Sequence, residues 1–388
     1  MSPVIDNTAR EHVHDLTSDT ATIPTDEMFD IMKTATRGDD VFGADDDVND
    51  LEVFMANMLG HEASLFCASG TQSNQIGLRT LLTQPPHSVL CDARAHIFVH
   101  ECGGLSYHSQ ASVTPVIPKK GLYLTAEDVE ANINKDTLTG AVTRVVALEN
   151  TMNGTIMPFE EIKRIRAVCD KHGLYLHLDG ARLWNASAAT GVSMSEYGKL
   201  FDSISVCLSK GAGAPIGSII ASTKDRIRHA RHLRKLMGGG WRQAGFLAKI
   251  ARHCIETAVP TMPETHKLAS RLATHLQSLG IRLALPCETN MLFLDFAPAG
   301  LTAEDFAVEL RKKNIKITAT SGSTISRVVL HYQVTAEVIE QFMDVATNIV
   351  KSHGKPVTTA METDVKENGN TTNSSIESLG AAYPSGKN

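Results

Sequence analysis

An alternation constrains this chain more than any other feature of its sequence. Short apolar runs occur at 88–93 (SVLCDA), 144–150 (RVVALEN), 174–180 (LYLHLDG), 203–209 (SISVCLS) and 217–222 (GSIIAS), and helix-like stretches separate several of them. One such stretch runs from Pro158 to His172, with Ile162, Ile165, Val168 and Cys169 at helical spacing. Strand, helix, strand in repetition predicts an α/β domain with a mainly parallel sheet. Past about Pro260 the pattern changes. A helix-like stretch at 266–280 leads to strand candidates at 290–296 and 325–332, with a helix-like 303–314 between them, which predicts a smaller α+β domain. We divide the chain into an N-terminal arm (1–14), a large domain (15–259), a small C-terminal domain (260–353) and a tail (354–388). The tail is poor in apolar residues and is predicted to be disordered, because it cannot bury enough surface to offset its ordering entropy.

At 388 residues the chain can bury a large core without metals or disulfides. Its net charge of −6 argues against a nucleic-acid partner. The seven cysteines are scattered, with no CxxC pair, which fits reduced thiols rather than a disulfide framework. The first residues are polar, and no apolar run approaches the roughly 20 residues that span a bilayer. A cytoplasmic protein with no membrane partner is therefore expected, and the sequons at Asn370 and Asn373 carry no weight.

Four segments carry chemistry. In SVCLSKGAGAPIG a β-type run ends at Ser209-Lys210 and enters a glycine-rich turn. Ligands gather outside the carboxyl ends of strands in open parallel sheets, and a partly desolvated lysine there can act as a nucleophilic amine. Alone, it reads first as an ordinary surface lysine in a flexible loop. In LHLDGAR, Asp179 ends another run about one strand–helix–strand unit earlier, with Arg182 three residues on. An acid that keeps a pyridinium nitrogen protonated and a lysine that condenses with an aldehyde are the pair that pyridoxal-phosphate (PLP) chemistry needs. An aspartate before Gly-Ala-Arg also suits a helix N-cap. In CASGTQSNQIGLRTLL, Ser69, Gly70 and Thr71 precede a helix-like run and can cradle a phosphate on free backbone N–H groups, or simply cap a helix. In RHLRKLMGGGWRQAG, three glycines suggest a close backbone approach or a bend, flanked by Lys235 and Arg242, which could meet a phosphate or line a solvated face.

These segments occur in a specific order, and with DLTSDTATIPT, GDDVFGADDDVNDLE, RAHIFVHECGG and LENTMNGTIMP the chain resembles the L-threonine aldolases from about Asp15 to Thr335. The resemblance implies PLP as cofactor and the type I, aspartate-aminotransferase-like fold of PLP enzymes. It implies that Lys210 binds the cofactor aldehyde, Asp179 pairs with the ring nitrogen and His96 stacks on the ring. It also implies that Gly70 and Thr71, beside Ser69 of the same turn, bind the phosphate with Arg242 and Lys235, the last two from a neighbouring subunit. Ser18, Arg182 and Arg327 would hold the carboxylate of a small amino-acid substrate, and Glu101 would support the site beside His96. A homotetramer or homodimer with shared active sites is implied, and no residue is assigned to a metal.

Three positions depart from the family pattern. Thr17 stands where many members carry arginine, Phe42 where many carry tyrosine, and Met152 where many carry histidine. The last two changes remove polar groups from where a retro-aldol reaction would use them. The expected activity is cleavage of L-threonine or L-allo-threonine to glycine and acetaldehyde. The alternative is alanine racemisation, as in the fungal racemases similar to threonine aldolases, since alanine has no β-hydroxyl to manage.

Overall fold

A computed structural model describes residues 13–119 and 121–353. The tail, its sequons and most of the N-terminal arm lie outside the described residues. In chain order the strands are β1 (His14–Asp15), β2 (Ala63–Cys67), β3 (Ser88–Asp92), β4 (Ser112–Val116), β5 (Thr143–Glu149) and β6 (Tyr175–Asp179). They continue as β7 (Ser203–Cys207), β8 (Ser218–Ser222), β9 (Arg282–Leu283), β10 (Met291–Asp295), β11 (Ile315–Lys316) and β12 (Ile325–Val329). The described residues form two compact units, one of residues 22–263 and a smaller one of residues 13–21 with 264–353.

The larger unit holds a seven-stranded sheet in the order β2-β8-β7-β6-β5-β3-β4. Strands β3 to β7 pair in parallel, whereas β8 runs opposite to both of its neighbours. A parallel neighbour needs a crossover of about a dozen residues or more. Between Cys207 and Ser218 the chain has only a glycine-rich turn, so β8 returns antiparallel. As a result β2, β3, β5, β6 and β7 all end on one edge of the sheet, with Glu149 beside Asp179 and Asp179 beside Ser205 in register.

Helices cover this sheet as the spacing predicts. The helix Phe159–His172 buries Ile162, Ile165 and Cys169 and stops at Gly173, whose φ of 63° only glycine adopts readily. Val168 is only partly buried at the edge of that stripe. Leu148, Leu176, Leu178, Ile204 and Val206 belong to one apolar cluster. Val89, Cys91, Val145 and Ala147 belong to another, with Ala95 and Ile97. Each fully buried Leu, Ile or Val contributes roughly 1.5–3 kcal/mol relative to exposure.

The smaller unit contains the antiparallel sheet β12-β10-β9, the parallel pair β1-β11 and its own core, in which Phe296 stacks on Phe306 at 4.3 Å. The N-terminal boundary differs from the expected one. Residues 15–21 group with the smaller unit, because Leu16 donates its N–H to Lys316 O and accepts from Val329 N, both at 2.8 Å. Local patterning carries no trace of a pairing across some 300 residues.

Candidate active site

The shared strand edge gathers most of the predicted groups. Asp179 is the last residue of β6 and is 3% exposed. It caps no helix: Arg182 is the N-cap of the helix Leu183–Thr190, with no side-chain capping bond. Instead Asp179 Oδ1 accepts the main-chain N–H of Ala181 at 3.1 Å, and Oδ2 accepts from Asn74 Nδ2 at 2.8 Å. Lys210 lies half-buried in the turn after β7, where its charge acts on both His96 and Glu149.

His96 begins the short helix His96–Val99 that follows β3. Its Nδ1 lies 2.9 Å from Oε1 of Glu101, which is 2% exposed. Ligand atoms of His96, Glu101 and Asp179 lie within 4.8 Å of one another. Burial pulls the imidazole pKa down, but the bond to Glu101 and the charges of Asp179 and Glu149 outweigh it and hold it above its ordinary value. Glu149 accepts the main-chain N–H of His96 at 2.8 Å. Burial and the neighbouring Asp179 charge push its own carboxyl up to about 7.

The third group is the turn after β2. Ser69 is the N-cap of the helix Gly70–Leu81, its Oγ accepting from Gln72 N at 3.2 Å, and Ser69 and Thr71 are both exposed. A Cβ on Gly70 would sit 2.7 Å from Cys207 Sγ, so only glycine lets this turn close against the end of β7. Backbone N–H groups at such a terminus suit an anion. The predicted bend is present too. Gly238 has a φ of 82°, and a Cβ on Gly239 would collide with Gln72 Nε2.

Other predicted residues fall elsewhere. Phe42 is 79% exposed at the end of the short turn Asp40–Phe42, with the Arg242 guanidinium 5.9 Å from its ring and Arg242 paired to Asp39 at 2.8 Å. Lys235 lines a cavity of about 240 Å³ with Arg228, Arg231, His232 and Arg234. Arg234 is buried against Asp40 and donates to Phe66 O at 2.7 Å. Met152 is buried in the same cluster as Ala95 and Ile97, the two neighbours of His96. In the smaller unit, Arg327 on β12 donates to Thr17 O at 2.9 Å, and Ser18 Oγ accepts from Thr20 Oγ1 at 2.9 Å.

Sequence reasoning missed Asn74, Gln75, Glu149 and His177. Two signals were available. Ser73, Asn74 and Gln75 are consecutive polar residues just before an apolar stretch, and all three are buried. Strand alternation puts His177 on the same face as Asp179.

The donor set fits PLP. A ring nitrogen needs a buried acid, an aldehyde needs an amine, a ring face needs a flat partner, and a phosphate needs free N–H groups. Asp179, Lys210, His96 and the turn at Ser69–Thr71 are groups of these kinds, all within the larger unit.

Residues 15–299 match the beta-eliminating lyase family. The low-specificity L-threonine aldolase of Saccharomyces cerevisiae is 45% identical over 331 residues, covering 84% of each chain. An alanine racemase of Cochliobolus carbonum is 33% identical, over 87% of this chain and 88% of its own. A solved threonine aldolase structure from Leishmania major aligns with a TM-score of 0.75 at 23% identity, over 87% of this chain and 99% of that one, which shows the shared fold. The chain therefore belongs to the beta-eliminating lyase family and, within it, to the low-specificity L-threonine aldolases.

Proposed function

We propose that this protein is a PLP-dependent aldolase that cleaves L-threonine or L-allo-threonine to glycine and acetaldehyde. The supporting observation is the meeting of a buried Asp179, the His96–Glu101 pair and Lys210 at one strand edge, in a chain 45% identical to a threonine aldolase. When bound, PLP supplies an aldehyde that condenses with amines and a protonated ring that draws electrons from a bond at the amino-acid Cα.

The protein's residues then divide the work. Asp179 holds a proton at the ring nitrogen, and burial strengthens that charge–charge contact. Lys210 Nζ offers the amine. The N–H groups and hydroxyls at Ser69–Thr71 hold the phosphate. Arg182 offers a forked cation to the substrate carboxylate, and Ser18 and Arg327 carry the same assignment from the family. His96, fixed through Nδ1 by Glu101, keeps Nε2 to take the proton of the β-hydroxyl as the Cα–Cβ bond breaks. Arg242 and Lys235, both exposed, are assigned to a neighbouring copy's site in a homo-oligomer. The unpaired state of all seven cysteines supports a reducing compartment such as the cytoplasm. No helix among the described residues is long and apolar enough to cross a membrane.

A second reading, alanine racemisation, is favoured by one observation: the position that would handle the hydroxyl is Met152, buried among apolar side chains. One paired assay separates the two. With L-threonine, acetaldehyde is followed by a coupled alcohol dehydrogenase; with L-alanine, D-alanine is followed by chiral chromatography. Aldehyde release is expected. D-alanine without aldehyde overturns the aldolase reading.

A further inference from the structure

Asn74 has a hydrogen-bond arrangement with only one consistent assignment. The side chain is buried, 1% exposed, on the helix Gly70–Leu81. Its Nδ2 donates to Asp179 Oδ2 at 2.8 Å and to Glu101 Oε1 at 2.9 Å, which uses both amide hydrogens. A flipped amide would point its oxygen at two carboxylates, so this orientation is fixed. Oδ1 must then accept, and its partner is His177 Nε2 at 3.2 Å. His177 therefore carries its hydrogen on Nε2, and its Nδ1 accepts from Ser203 Oγ at 2.7 Å. Burial lowers the His177 pKa to about 4, which keeps the ring neutral and in that single tautomer. Gln75, the next residue on the helix, donates from Nε2 to Glu101 Oε2 at 2.6 Å. A one-way chain thus runs from Ser203 through His177 to Asn74 and ends on two carboxylates.

These two carboxylates have different tasks in the reading above, on which this inference rests. Asp179 serves the ring nitrogen, and Glu101 holds His96. Without a donor between them, two buried acids at this separation repel. We propose that Asn74, oriented by His177, is a positioning residue that locks Asp179 to the Glu101–His96 pair, so that the groups serving the cofactor's nitrogen and its face are held as one unit. Asn74 touches neither substrate nor reacting atoms; it acts through the two acids.

The test uses full-length protein, with PLP titrated into the apoenzyme and followed by visible absorbance. Circular dichroism and thermal melting verify that each variant is folded. Asn74→Ala is expected to raise the PLP Kd roughly tenfold or more, the effect of losing hydrogen bonds to charged groups. The same variant lowers kcat for threonine while leaving KM within about twofold, because uniform substrate binding is untouched. His177→Leu shifts Kd in the same direction, and His177→Gln, which keeps an N–H toward Asn74, recovers it. Because His177 acts through Asn74, the Asn74→Ala/His177→Leu double variant is no weaker than Asn74→Ala alone. A folded Asn74→Ala with wild-type Kd overturns the proposal, as does full additivity of the two substitutions. If Asn74→Ala does not fold, a wild-type Kd in His177→Leu overturns it equally. A wild-type protein that binds no PLP overturns the functional reading itself, an outcome distinct from a variant that binds as well as wild type.

Discussion

Nδ1 of His96 and Oε1 of Glu101 lie 2.9 Å apart, with the carboxylate buried and the imidazole about one-third exposed. The pair sets which imidazole nitrogen faces the protein and which is left for chemistry. With His96 in its proposed role as base, the pair also sets the working pH range. Burial alone would depress the imidazole pKa, but Glu101, Asp179 and Glu149 together raise it despite the opposing Lys210 charge. His96 must be neutral to accept a proton, so activity rises with pH through this raised pKa. Replacing Glu101 by glutamine removes one negative charge and keeps an acceptor. The acid limb of the kcat/KM profile of Glu101→Gln is expected at lower pH than in wild type. An unmoved limb would show that another group titrates.

In their proposed roles, Lys210 and Asp179 separate attachment from electronics. Lys210→Ala is expected to lack the visible absorption band of the holoenzyme, because the half-buried amine in the turn after β7 is then gone. Asp179→Asn retains the shape but loses the charge beside the ring nitrogen. A fall in kcat of about a hundredfold or more is expected from losing one preorganised charge. Steady-state kinetics alongside the absorption spectrum read both effects, and unchanged turnover in Asp179→Asn would make that acid purely structural.

The phosphate turn is a packing prediction. In Gly70→Ala the new methyl meets Cys207 Sγ at 2.7 Å. Overpacking of this kind costs about 1–3 kcal/mol. Chemical denaturation should show that loss, together with weaker PLP binding. Adding Cys207→Ala frees the space, so the double variant should be less destabilised than the sum of the two singles. Simple additivity would mean the turn relaxes some other way.

His177 makes an acid-stability prediction. Its pKa falls from 6.5 to about 4 on folding, so the unfolded chain binds the proton more readily. The stability contributed by the neutral ring is complete above about pH 6.5 and is lost as pH falls toward 4, up to roughly 3 kcal/mol. Urea denaturation across that range should show a shallower pH dependence in His177→Gln. An identical slope would show that other groups dominate acid unfolding.

The sequence alone determined the periodic elements and the ends of the strands. Asp179, Lys210 and the Ser69–Thr71 turn were legible because each closes or follows an apolar run, and chemistry in a parallel sheet collects at those ends. The helix Phe159–His172 was legible from its spacing and the glycine that ends it. Only the tertiary structure decided which side chains meet across the fold. Asn74 reaches Asp179 over 105 positions, Arg234 buries its charge on Asp40 over 194, and β1 pairs with β11. Such contacts depend on how a helix lies on a sheet and on which strands become neighbours, and one-dimensional periodicity encodes neither. The polar residues of the helix Gly70–Leu81 show the difference most clearly. By composition Ser73, Asn74 and Gln75 belong on a wet surface, yet all three are buried, because each side chain hydrogen-bonds to a group brought in from β3, β6 or β7 and their loops.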